Sequence, residues 1–191
     1  MDFESVIRQR RMVRNFEGRP LPPEIVERLL ANARRGPSAG FTQGFELLVL
    51  EGAEQTGRFW DVSLPPAERD GFRWPGLLRA PLVIVAFADE RAYRERYAEP
   101  DKRSSAFRVP WWLVDTSFAA LLVLLTAVDA GLGALFFGVF RPEAVRAAFG
   151  VPIRYLPLGA IAVGYPAPDE PSPSLRRGHR PAAEVIHRGH W

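Results

Sequence analysis

The chain has 191 residues and 47% hydrophobic content, which suits one domain with a substantial core. It has no cysteine, and this excludes disulfides, thiolate metal centres and a cysteine nucleophile. The formal net charge of +3 and sequence pI near 9.8 come almost wholly from arginine, Lys102 being the only lysine; a nucleic-acid-binding domain of this size would be more lopsided.

In chain order, Asp2 to about Gln9 reads as a first helix capped by Asp2, with Phe3, Val6 and Ile7 on its apolar side. This amino terminus carries acids and no long apolar run, so it is not a secretory signal and a cytoplasmic location is expected. Leu21-Pro22-Pro23 opens a second helix with a stripe of Ile25, Val26, Leu29, Leu30 and Ala33, stopped by Gly36-Pro37. Gly36 to Gly44 is a loop of small residues, and Phe45 to Leu50 a buried strand. A helix from Glu54 to Val62 precedes an irregular link over 65–75. Pro81 to Phe87 is a strong buried strand, Asp89 to Tyr97 a charged helix, and 99–110 a polar loop.

The stretch from Val114 to Val139 organises the rest. Between Asp115 and Asp129 it is apolar all round a helical wheel, so the helix is expected to be buried on every side, with Asp115 or Thr116 as cap and Gly131 or Gly133 as stop. The uncharged run falls short of the roughly 20 residues a bilayer needs, which argues for a core helix and against a membrane span. A chain of this size has little material to surround it, and a second copy is expected to supply part of its cover. Ala134 to Phe140 reads as a short strand, Pro142 to Phe149 as a helix and Leu158 to Val163 as the last strand. Residues 165–191 are proline-rich yet end in Val185, Ile186 and Trp191, which suits an extended arm lying along another surface. No linker divides the chain, so 1–191 is expected to be one domain including that arm.

Two arginine clusters stand out, Arg8, Arg10, Arg11 and Arg14 near one end and Arg176, Arg177, Arg180 and Arg188 near the other. They read either as a phosphate cradle or as solvated basic surface. Pro37-Ser38-Ala39-Gly40 reads either as backbone exposed to a flat ligand or as a plain turn. Gly131-Leu132-Gly133 fails as a dinucleotide fingerprint, because it follows a helix and lacks the third glycine. His179, His187 and His190 lack a convincing third partner for a closed metal site, and no serine-hydrolase pattern occurs. Trp111 and Trp112 read as core or interface anchors, or as pocket walls.

Together these pieces resemble the nitroreductase family of FMN-dependent oxidoreductases. The resemblance is carried by Arg10-Arg11-Met12-Val13-Arg14-Asn15-Phe16, by Pro37 to Gln43, by Asp115 to Gly138, and by Arg177, Arg180-Pro181 and Val185-Ile186-His187. It implies an α+β fold, a mixed sheet flanked by helices around a long central helix. It also implies a homodimer that exchanges carboxy-terminal arms and holds FMN at its interface. By position it puts Arg10, Arg11, Met12 and Arg14 on the phosphate, ribityl and pyrimidine side of FMN. It puts Pro37, Ser38 and Ala39 against the isoalloxazine, Gly138 at the ring from the other side, and Arg177 and Arg180 on the phosphate.

This sequence departs from the family pattern at several of these positions. Met12 stands where serine is common, Phe41 where asparagine is, Gly44 where proline is, and Phe137 where many members have an acid. The segment before the central helix, which forms a lid in many relatives, is short, which would leave the flavin more open or leave the substrate pocket to Phe41, Trp111 and Trp112 of either subunit. The implied reaction is ping-pong transfer of electrons from NAD(P)H through flavin to a quinone, nitroaromatic or similar flat small molecule, with Arg14 stabilising reduced flavin and no side-chain nucleophile. The alternatives are another flavin reaction of the same fold (dehalogenation, dehydrogenation or flavin fragmentation) or a flavin-storing or regulatory protein with little turnover. A nucleic-acid-binding module, which would bind with steep salt dependence, is not expected.

Overall fold

A computed structural model of the chain describes residues 1–102 and 108–191. Among these residues four strands, β1 (Phe45–Glu51), β2 (Leu82–Ala88), β3 (Gly133–Phe137) and β4 (Leu156–Gly164), make one sheet in the order β1-β2-β4-β3. Each neighbouring pair is antiparallel. Parallel pairing enters at the β3 edge, where Met12 bridges Ala134.

Helices cover both faces. On one, Phe59 and Trp60 of α3 (Gly52–Ser63) and Val145 of α6 (Pro142–Phe149) pack on Val83, Val85, Leu135, Ala160 and Ala162. On the other, Val26, Leu29 and Ala33 of α2 (Pro23–Ala33) join Ala119, Val123 and Ala127 of α5 (Trp111–Asp129) over Leu82, Ile84, Ile161 and Val163. With a helical layer on each side, β2 is buried from end to end. This is why its sequence is a continuous apolar run instead of an alternation. The remaining helices are α1 (Phe3–Gln9), capped by the Asp2 side chain as expected, and α4 (Glu90–Ala98), capped by Asp89.

The central helix differs from expectation in where it starts. It starts at Trp111, with Pro110 before it, so neither Asp115 nor Thr116 is its cap. Both lie one turn inside it, where Asp115 is buried and the Thr116 hydroxyl donates to the Trp112 carbonyl at 2.6 Å. Within one copy of the chain the helix is not covered all round: Phe118 is 38% exposed and Leu121 44%, on the side left for the cover expected from a second copy. With Val114 and Leu125 half-buried, these residues make an apolar stripe along one side. The helix ends at Asp129, and Gly131 just beyond it, with a φ of +72°, is the left-handed stop expected there. By length and composition α5 would also cross a membrane. Here it packs between α2 and the sheet.

The amino-terminal segment returns to the sheet through one close approach. The Val13 N–H donates to the Ala134 carbonyl at 3.0 Å. A β-carbon at Gly133 would lie 2.8 Å from the Val13 side chain, so glycine is needed for the contact. Past β4 the chain runs antiparallel to residues 15–17, with Phe16 bridging Pro166. It then continues through two short 3-10 turns, Pro173–Arg177 and Ala182–Glu184. From Ser174 onward every residue is exposed, Trp191 at 98%. The expected polar loop over 99–110 includes residues 103–107, which lie outside the described residues.

Candidate functional site

The candidate site residues fall into two groups. In the first, Arg10 ends α1, its N–H donating to the Val6 carbonyl at 3.0 Å. Met12 is half-buried at the β3 edge. The Arg11 guanidinium lies 3.3 Å from Asp169, and the same carboxylate accepts from the Arg14 N–H at 2.9 Å. The Arg14 guanidinium turns back to the Met12 carbonyl at 3.1 Å and sits over Trp74, 5.2 Å from the ring centre, with Arg73 4.9 Å from the same ring. Arg14, Arg73, Trp74, Arg79, Asp169 and Glu170 line a cleft of about 550 Å³. Close by, Phe72 packs edge-on against Phe140, two residues beyond Gly138. Gly138 is exposed, and an added β-carbon there would meet nothing within 4 Å.

The second group is the loop after α2. The Ala39 N–H donates to the buried Asp115 carboxylate at 2.8 Å, and the Tyr93 hydroxyl donates to the same oxygen at 2.6 Å. The Ser38 hydroxyl oxygen accepts from the Gln43 N–H at 2.7 Å, and the Thr42 hydroxyl donates to the Ala39 carbonyl at 2.6 Å. Arg96 donates to the Gly40 carbonyl at 2.9 Å while its fork holds Asp101 at 2.7 Å on both arms. Pro37 opens this loop and Phe41, 78% exposed, crowns it. Trp111 and Trp112 stand half-buried in the first turn of α5. Burial, and then the hydrogen bond to Asp115, push the Tyr93 hydroxyl well above its ordinary pKa.

The amino-terminal arginine segment and the loop sit at opposite ends of α5. Arg11 and Val13 line a recess with Val128, Gly131 and Gly133, whereas the loop is tied to Asp115 and its Gly36 abuts Phe118. At 1.5 Å per residue, Asp115 and Val128 are about 20 Å apart along the helix. One copy of the chain therefore does not bring Pro37, Ser38 and Ala39 onto Arg10, Arg11 and Arg14. Nor does it bring Arg177 and Arg180 there. Both are exposed, and among the described residues no hydrogen bond or ion pair joins them to the amino-terminal arginines. Arg180 pairs with Glu184, and the tail residue that does reach Arg11 and Arg14 is an acid, Asp169.

Comparison with known proteins bears on this arrangement. The model of the nitroreductase family matches residues 7–165. The chain belongs to the nitroreductase family. A relative from Methanothermobacter thermautotrophicus, provisionally named an NADH dehydrogenase/NAD(P)H nitroreductase, is 29% identical over 172 residues, covering 87% of this chain and 78% of its own. A protein of Rhodospirillum rubrum named 5,6-dimethylbenzimidazole synthase is 27% identical, covering 92% and 87%. A crystal structure from Exiguobacterium sibiricum, described as a provisional nitroreductase in complex with FMN, shares the fold at a TM-score of 0.76 and 18% identity, covering 98% of this chain and 97% of that one.

For a nitroreductase-family chain the donor set is chemically apt for FMN. Guanidiniums suit a phosphate dianion, an exposed glycine leaves room for a flat ring, and the small-residue loop offers backbone polar groups. Met12 offers no hydroxyl. Sequence reasoning missed Arg73, Trp74 and Asp169, because nothing local in residues 65–75 or 165–170 signals that they meet Arg11 and Arg14. It read Asp115 as a cap; its place in an apolar run, with a tyrosine on the preceding helix, was the available sign of a buried carboxylate.

Proposed function

We propose that this chain is an FMN-dependent oxidoreductase that works as a homodimer, taking electrons from NAD(P)H and delivering them to a flat acceptor such as a quinone or nitroaromatic. The observation that carries the reading is the separation of the two residue groups along α5 together with the apolar stripe on that helix. Two copies packed through α5 in opposite directions would cover Phe118 and Leu121. The loop of each copy would then meet the arginines of the other. The exposed arm, with Val185, Ile186 and Trp191 in solvent, would likewise lie along the partner and carry Arg177 and Arg180 to the phosphate.

When bound, FMN supplies two-electron chemistry between a nicotinamide and an acceptor. The chain's part is to hold and orient. Arg10 and Arg11 would grip the phosphate, and Arg14 would stand by the pyrimidine edge, where a cation favours developing negative charge. Pro37, Ser38 and Ala39 would lie along one side of the ring and Gly138 on the other. Donor and acceptor would take turns at the same open face, near Trp111 and Trp112. The family and the names of its relatives support an oxidoreductase, and the Exiguobacterium structure supports FMN.

The test is the visible spectrum of the purified chain, with flavin released by heating identified as FMN. Micromolar to nanomolar affinity corresponds to about 8–12 kcal/mol, and a charge-assisted hydrogen bond contributes about 1.5–3 kcal/mol. Arg10→Ala should therefore weaken FMN binding about 10- to 100-fold; a mutant that keeps its full yellow colour on dialysis sinks the phosphate assignment. The likeness to a dimethylbenzimidazole synthase favours a second reading, a different reaction on the same fold. Failure of the FMN-loaded chain to oxidise NAD(P)H with menadione would support it.

A further inference from the structure

The loop beneath Phe41 is strained. Gly40, Phe41 and Gln43 have φ values of +62°, +53° and +54°. A glycine takes this conformation freely, but a side chain with a β-carbon does so at a cost of about 1–2 kcal/mol. An aromatic residue there is uncommon. The strain brings no burial in return, since the Phe41 ring is 78% in solvent. A costly conformation that exposes an apolar ring does nothing for a single folded chain and points to a role in binding.

What holds the loop is over-determined. The Phe41 N–H donates to the Ser38 carbonyl at 2.9 Å, Gln43 is tied to the Ser38 hydroxyl, and Arg96 holds the Gly40 carbonyl from the side. Below, Asp115 takes the Ala39 N–H and the Tyr93 hydroxyl on one buried oxygen. Gly44 completes the seat. A β-carbon there would fall 2.5 Å from the Tyr93 ring, so the residue that stands in place of the family's common proline is required by the tyrosine beneath it. Beside the loop, the Arg96 guanidinium is paired with Asp101 and Glu99.

We propose that Phe41 is the residue that selects the acceptor, a rigid aromatic face that favours planar aromatic compounds, and that Asp115 and Tyr93 are positioning residues that set it in place. The proposal rests on the oxidoreductase reading above. A planar quinone or nitroarene stacks on such a face; a small inorganic oxidant gains nothing from it.

The test uses the FMN-loaded full chain without a nicotinamide, titrated with menadione while the flavin absorbance is followed. Phe41→Ala should weaken menadione binding about three- to tenfold, as loss of one stacking contact would. Phe41→Trp should restore it. In turnover, the ratio of kcat/KM for menadione to that for ferricyanide should fall by a similar factor in Phe41→Ala. In Asp115→Asn the KM for menadione should rise while kcat holds. Menadione affinity unchanged in Phe41→Ala, or dissociation of that variant into monomers, overturns the proposal, the second because it would make the ring a subunit contact. A wild-type chain that binds no FMN overturns the oxidoreductase reading and this proposal with it; a yellow wild type with an indifferent Phe41→Ala overturns this proposal alone.

Discussion

Phe41 and Asp115 are coupled through the three residues from Ala39 to Phe41, and each can be probed by stability alone. At φ +53° Phe41 is held against its own β-carbon. Removing the ring with Phe41→Ala leaves that strain, whereas Phe41→Gly releases it, so the glycine variant should be the more stable of the two by about 1 kcal/mol in urea denaturation. Equal stabilities would mean that the loop relaxes. Tyr93 makes a pH prediction. Burial and the bond to Asp115 raise its pKa in the folded state above the ordinary 10.0. Below pH 10 the hydroxyl is protonated in both folded and unfolded chains, and its contribution to stability is whole. Above pH 10 the unfolded chain ionises first, so stability is lost as pH rises toward the folded-state value. Tyr93→Phe should lower stability near neutrality by about 1–2 kcal/mol, through the lost hydrogen bond to a carboxylate, and should flatten the alkaline decline. Parallel stability curves for mutant and wild type from pH 9 to 11 would show that Tyr93 does not carry that decline.

At the scale of elements, α5 carries two opposed demands. One side meets α2 and the sheet through small residues, Ala119, Ala120 and Ala127, which let the backbones approach. The other presents Phe118 and Leu121 to solvent. A fully buried leucine or phenylalanine is worth about 1.5–3 kcal/mol, so a two-fold contact that repeats both residues recovers several times that. Leu121→Glu should therefore shift light-scattering mass from dimer to monomer at micromolar concentration while circular dichroism stays native. Because the residues proposed to hold flavin stand at both ends of the helix, the same variant should also lose FMN. A monomeric variant that stays yellow would separate cofactor binding from pairing and contradict the split site.

Across the whole molecule, much of the fold was legible in the residues because its signals are local. The 3.6-residue stripe of α2, the seven apolar residues of β2 and the glycine after α5 each lie within a few positions of the structure they specify. The arginine segment, the small-residue loop and the helix between them were legible as candidates for the same reason. What was not legible depends on distant partners. Asp169 meets Arg11 across 158 positions, and Asp115 meets Ala39 across 76. Neither pairing leaves a periodicity or a spacing to read.

The chain's own pattern therefore determined which segments become helices and strands, and that one helix carries an uncharged run apolar all round. Only the tertiary structure decided that this helix keeps an uncovered stripe, that its aspartate is a buried anchor for the loop bearing Phe41, and that the loop and the arginines stand at its opposite ends. The reason is physical: local conformation follows from steric and hydrophobic preferences of neighbouring residues, whereas the meeting of distant side chains follows from how the finished layers pack.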